Sequence, residues 1–203
     1  MAAGITLMSG AQAGPICVSN EVVQALEDHQ FASGEGPCRD AFDRRLPVLA
    51  DRMDAGPALD WPFFTDLAVA LGIGAVFAYP LSSKGATVGV MTVYQSEAGG
   101  LTVGQHADAV VLAEIIGETL LSLQAEAPEG TLADGLDEAV TYRAQIYQAS
   151  GMASVQLGIP PADALARIRA YAFAHDVPID MVAGEIVSRR LRLNDDHGPE
   201  NGR

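Results

Sequence analysis

Arg169 is the side chain of this sequence best suited to grip a phosphate. It lies in IRAYAFA, residues 168–174, on a pattern whose apolar members Leu165, Ile168 and Ala172 recur at helical spacing. At 100° per residue it sits about 40° from Leu165, at the border of the apolar face and solvent. A guanidinium there can clamp phosphate with two parallel donors or stack on an unpaired base. It can equally cover apolar surface with its stem. Arg167 lies about 160° from Arg169, so the two cannot face one ligand, and Arg167 reads as part of a solvated face. Tyr171 and Phe173 could stack on bases, although aromatic residues on bundle helices more often fill the core. His175, near the helix end, reads as a capping or packing residue.

A second stretch, YQASGMASVQLG at 147–158, raises a question of cost. Gly151 interrupts a helical pattern, where glycine costs about 1 kcal/mol relative to alanine. Tyr142, Ile146, Ala149 and Ala153 share one stripe, and Ala144, Gly151 and Val155 lie nearly opposite. A helix apolar on two faces must be covered from two directions. The missing side chain lets a second helix or an RNA backbone come close. Cys38, at the turn GEGPC, is a possible redox sensor or thiol nucleophile. No histidine adjoins it, and free cysteine is usually a small buried hydrophobe. An oxidoreductase would need Cys38 with Cys17. Two cysteines are too few for a disulfide framework or a zinc site, so no metal is expected.

The elements that must hold these residues fall into two groups. The chain has 203 residues and a net charge of −14. Residues 1–139 carry 5 basic and 19 acidic side chains, whereas 140–193 carry 6 arginines and 4 acids. Bulk attraction to nucleic acid is excluded for the acidic part, and the arginine-bearing part is the basic one. In the first group GITLMS (4–9) and GPICVS (14–19) read as a hairpin, with Ser19 or Asn20 capping a helix that follows. LPVLA (46–50) is a third strand. WPFFTDLAVALG (61–72) is a helix with Pro62 in its first turn and Gly72 at its C-cap. IGAVFAYPLS (73–82) and ATVGVMTVYQS (86–96) are two strong strands, and Thr102 caps a helix over 103–125. Ala109, Leu112, Ile116, Thr119 and Leu123 give that helix a heptad-like seam, which suits either a partner helix or its own sheet. After a linker over 126–137 the strand signals vanish. Helices are expected over 138–157, 161–175 and 178–193, with Arg189, Arg190 and Arg192 complementing the macrodipole at the last helix end. A polar tail, 194–203, follows. No signal peptide or apolar span long enough for a membrane is present, so a reduced, cytoplasmic protein is expected.

The second group resembles an ANTAR domain, a three-helix RNA-binding module. The resemblance rests on Ala149 and Gly151, the LGI break, Ala162 and Ala164, Ile168 and Arg169, Ala172 and the VAGEIV run. Many members of that family have lysine where this chain has Ser150. Residues 1–125 resemble a GAF domain through FASGEGPCRDAF, WPFF and AVFAYPL…GVMTVY. A GAF domain usually has a helix before its first strand. Here a strand opens by residue 4, so either the start is assigned too late or the domain lacks that helix. The chain has no N-K-x-F-D-E run of the kind that binds cyclic nucleotides, and no haem or bilin attachment pattern.

The two resemblances together imply an α+β chain, an antiparallel sheet with flanking helices followed by an all-α bundle. They imply no enzyme and no cofactor. They imply a regulator whose first domain senses an unknown signal, small molecules included. Its second domain would bind paired hairpin loops of nascent RNA and so prevent a terminator from forming. The implied RNA-binding set is Ala149, Ser150, Gly151, Arg169, Tyr171 and Ala172. A homodimer through helices 103–125 and 138–157 is expected. The alternative is a dimeric interaction module that has lost RNA binding along with the lysine.

Overall fold

A computed structural model describes residues 1–9, 12–54, 60–83, 85–127 and 143–193. Most of the expected 126–137 linker, the first residues of the expected 138–157 helix with Tyr142, and the tail 194–203 lie outside the described residues. The chain divides into two compact units, Met1–Tyr142 and Arg143–Arg203.

The first unit is built on strands β1 (Ala2–Ser9), β2 (Gln12–Val18), β3 (Val48–Ala50), β4 (Ala75–Ser83) and β5 (Ala86–Gln95). They form one antiparallel sheet in the order β2-β1-β5-β4-β3. Side-chain alternation assigns the two faces. Ala75, Phe77, Tyr79 and Leu81 point to one side, where Met91 joins them beneath helix α4 (Val103–Glu126). Val76, Ala78, Val90 and Tyr94 point to the other. That side is covered by α1 (Glu21–Ser33), α2 (Pro37–Arg44) and α3 (Pro62–Ala70).

Local chemistry sets the helix ends. Asn20, not Ser19, caps α1, its Oδ1 accepting from Val23 N at 2.9 Å. Ser19 instead accepts the Ala3 amide at 2.9 Å and ties β1 to the approach of α1. Thr102 and Gln105 form a reciprocal capping box on α4. Leu71 rather than Gly72 is the C-cap of α3, and Gly72 follows with φ 76°. α3 receives its N-terminal acceptor from far along the chain: Glu35 Oε1 takes the amides of Phe63 (2.7 Å) and Phe64 (3.1 Å).

The seam expected on α4 is split between two faces. Ala109 and Ile116 turn to the sheet with Ala113, Gly117 and Leu120. Leu112, Thr119 and Leu123 turn away, and Val111 and Ile115 join that outer stripe. Gly117 decides the split. A Cβ there would lie 3.0 Å from the backbone of Leu81 and Ser82, so the helix rests directly on β4 at that point.

The second unit is three helices, α5 (Ala144–Leu157), α6 (Pro161–Ala174) and α7 (Ile179–Val187), packed pairwise. Small residues fill the seams: Ala149, Ala153, Ala164 and Ala183 are fully buried beside Ile168 and Ile186. α7 is shorter than the expected 178–193 helix. The Ser188 hydroxyl donates to the Gly184 carbonyl at 2.7 Å, and Arg189 takes a left-handed φ of 62° that stops the helix. Arg189, Arg190 and Arg192 therefore follow the helix rather than ending it.

Candidate functional site

The residues expected to touch RNA separate into two sets. Ala149, Ser150 and Ala172 are turned inward, each under 10% exposed. Ala149 and Ala172 occupy the helix seams, where their size permits close packing. Ser150 donates its hydroxyl to the Pro161 carbonyl at 2.6 Å. One turn on, Ser154 donates to the Ile159 carbonyl at 2.6 Å. These two serines clip the end of α5 to the turn that leads into α6, and Gly158 makes that turn with φ 66°. The position where ANTAR-like sequences often carry lysine is thus an interhelical hydrogen-bond donor in this chain.

Gly151, Arg169 and Tyr171 reach the surface. A Cβ built on Gly151 meets nothing within 4 Å, and Val155 on the same side is 85% exposed. Among the described residues of this unit nothing covers the second apolar face of α5 at these positions. Arg169 is half-buried at the margin of the Leu165–Ile168–Ala172 stripe. Phe173 is 70% exposed, which corrects its assignment to the core. The alternation of α6 explains this: Ile168 and Ala172 take the inward positions, and 173 lies 100° past the second. Tyr171 stacks on His175, with ring centroids 3.9 Å apart and planes 18° from parallel. Arg167, Arg189 and Arg192 are exposed. Arg190 pairs with Glu185 through two contacts, at 2.7 and 2.9 Å, and this hydrogen bonding holds the Glu185 carboxyl below its ordinary range.

In the first unit, Cys38 is 3% exposed among Ala41, Ala78 and Val90, whereas Cys17 is exposed. Among the described residues no group of histidine, cysteine and acidic side chains could hold a metal ion. What the sequence reading missed is a buried polar chain beside Cys38. The inward side of α1 is Val23, Leu26, Glu27, Gln30 and Phe31, so an acid and an amide lie within its apolar stripe. Glu27 is 2% exposed and Tyr94 1%. Glu27 Oε1 accepts from the Tyr94 hydroxyl at 2.8 Å, and Oε2 from Thr6 Oγ1 at 2.8 Å.

The donor order from Cys38 through Gln30 and Tyr94 to Glu27 follows from one backbone group. The Cys38 amide can only donate, and it donates to Gln30 Oε1 at 2.9 Å. The Gln30 amide nitrogen then donates to Tyr94 Oη at 3.1 Å. The Tyr94 hydrogen is left for Glu27. The Tyr94 pKa is raised well above 10, by burial first and by the Glu27 carboxylate next. This hydrogen-bond network joins α2, α1, β5 and β1. The available signal was an acid at an i, i+3, i+4 position of an apolar stripe.

No family model and no curated protein matches the chain. Among the described residues no helix is long and apolar enough to cross a membrane. Solved structures do resemble it. One is a domain of a protein named as a two-component sensor histidine kinase from Sinorhizobium meliloti 1021, with 17% identity, covering 62% of this chain and 81% of that one, at a TM-score of 0.50. Two named as GAF domain structures score slightly lower. The GAF domain region of a membrane protein from Geobacter sulfurreducens PCA has 16% identity, covers 60% and 81%, and scores 0.49. The GAF domain of a phosphoenolpyruvate-protein phosphotransferase from Coxiella burnetii has 16% identity, covers 62% and 74%, and scores 0.48. The first unit, a five-stranded antiparallel sheet with helices on both faces, has a GAF-like fold.

Proposed function

We propose that this chain is a signal-responsive RNA-binding regulator that promotes transcription antitermination. The GAF-like unit senses, and the three-helix unit binds paired hairpin loops of a nascent transcript. The observation that supports this most is the sorting of the ANTAR-like landmarks. Ala149, Ala164 and Ala172 are buried as packing residues and Ala162 is exposed, while Arg169 and Gly151 remain at the surface together with Tyr171. An RNA module needs that division between a rigid frame and a few exposed donors and rings. Binding of the full chain to a two-hairpin RNA tests the reading. Affinity should depend on loop sequence and should fall with Arg169→Ala, with a shallow salt dependence because so few phosphates are neutralised. Equal affinity for scrambled loops, together with an unaffected Arg169→Ala variant, sinks it.

A second reading is a dimeric sensory or interaction module without RNA binding. It is favoured by the outer stripe of α4, where Val111, Leu112, Ile115 and Leu123 are each between 44% and 56% exposed. Soluble proteins seldom leave such a row of large apolar side chains without a partner. Retention of the dimer with no RNA affinity would select this reading.

A further inference from the structure

We infer that Tyr171 and His175 form a ready-made stacking platform for one unpaired RNA base, with His175 as its outer face. This rests on the RNA-binding reading and names a residue of that site which the sequence pattern left as a cap.

The two rings lie one helical turn apart on α6, face to face at 3.9 Å and 18°. His175 Nδ1 lies 2.9 Å from the Tyr171 carbonyl oxygen. A carbonyl oxygen accepts only, so Nδ1 carries the hydrogen, and in the neutral ring Nε2 is an acceptor. The imidazole is thus held at one edge by the backbone and on one face by the Tyr171 ring. His175 is nevertheless exposed. What it exposes is its other face and its Nε2 edge.

The helix ends at these rings: Asp176 takes a left-handed φ of 52°, and Val177 donates its amide back to the Ala172 carbonyl at 3.0 Å. Tyr171 is half-buried and anchors the stack. Such a surface is rigid before any ligand arrives, so little side-chain entropy is lost when a base is added. Any base offers a flat face to such a ring, and the Nε2 acceptor can then favour a base with an amino group in reach. Arg169, two residues before Tyr171, lies about 160° round α6 from it, so the platform acts apart from any phosphate contact that Arg169 makes.

The test uses the full chain and a two-hairpin RNA carrying 2-aminopurine at one loop position at a time. Stacking quenches this base, so wild-type protein should quench one loop position more than the others. His175→Ala should weaken binding about five- to hundredfold and abolish that quenching. His175→Phe, which keeps an aromatic face without nitrogens, should restore most of the affinity and the quenching. Wild-type affinity and quenching in His175→Ala, alongside weakened binding by Arg169→Ala, would overturn the platform and leave the RNA reading standing. No binding by the wild type overturns the RNA reading itself and the platform with it.

Discussion

Replacing Tyr94 with phenylalanine should make the first unit less stable at neutral pH and less sensitive to alkali. The hydroxyl donates to a buried carboxylate at 2.8 Å and accepts from the Gln30 amide at 3.1 Å. A hydrogen bond to a charged group contributes about 1.5–3 kcal/mol, and a buried donor left unpaired costs about 1–3 kcal/mol. The two losses share one network and do not add fully, so about 3 kcal/mol is expected. The alkaline effect has the opposite sign. Tyr94 has a folded-state pKa raised well above 10. The folded chain thus keeps a proton that the unfolded chain gives up. Its contribution is complete below pH 10 and is lost as pH rises from 10 toward the folded value. The loss steepens above an unfolded pKa near 10, because the unfolded chain releases the proton first, and it ends once the folded chain releases it too. Tyr79, also raised by burial, adds a slope that the variant keeps. The assay is urea unfolding at several pH values, followed by fluorescence of Trp61. This is the only tryptophan of the chain and lies in the same buried cluster as Tyr94, so it reports on this unit alone. Equal alkaline slopes in wild type and Tyr94→Phe, or a neutral-pH cost below about 0.5 kcal/mol, would refute the proton ordering and the magnitude built on it.

Three further outcomes follow from the same geometry. Glu35→Ala should lower the stability reported by Trp61 by about 1–2 kcal/mol, because it strips two amides of α3 of their acceptor; thermal melts followed at this tryptophan check it. Gly151→Ala should raise the melting temperature of the second unit by the equivalent of about 0.5–1 kcal/mol, since the added methyl meets nothing within 4 Å. If RNA or a second chain lies against that face, the same variant should weaken that association, and calorimetry with and without RNA separates the two effects. Ile115→Glu, at a 56% exposed position, should leave the fold intact and shift the sedimentation coefficient toward that of a monomer.

Much of the fold was legible because its signals are local. The strands of the β4–β5 hairpin, the Pro62 start of α3 and the Thr102 cap all depend on neighbours within a few residues. The errors arise where the deciding partner is remote or has no side chain. Gly117 sets which face of α4 meets the sheet, yet a glycine adds nothing to an apolar pattern. The outer row of α4 is nearly as apolar as the inner one, so the period was ambiguous. α7 stops at Val187 through a left-handed arginine, where no glycine or proline marks the end. Of the candidate site, which the resemblance implied, the inward turn of Ala149 and Ala172 and the marginal position of Arg169 could be read from spacing. The inward turn of Ser150 could not, because its acceptor is the carbonyl of Pro161 across a helix turn. Glu27 was not legible because its burial depends on Tyr94 and Thr6, which lie far along the chain.

The sheet order has a consequence for synthesis. β1 lies between β2 and β5, and Ala2 pairs with Tyr94. Roughly 80 residues separate the end of β1 from the start of β5, which a ribosome adds in about 4–16 s. Until then β1 has a neighbour on one side only, and its open edge is a template for any other strand. The acidic side chains that crowd this part of the chain repel like copies during that interval. A nascent chain halted before Ala86 should therefore aggregate more readily at high salt than the finished protein.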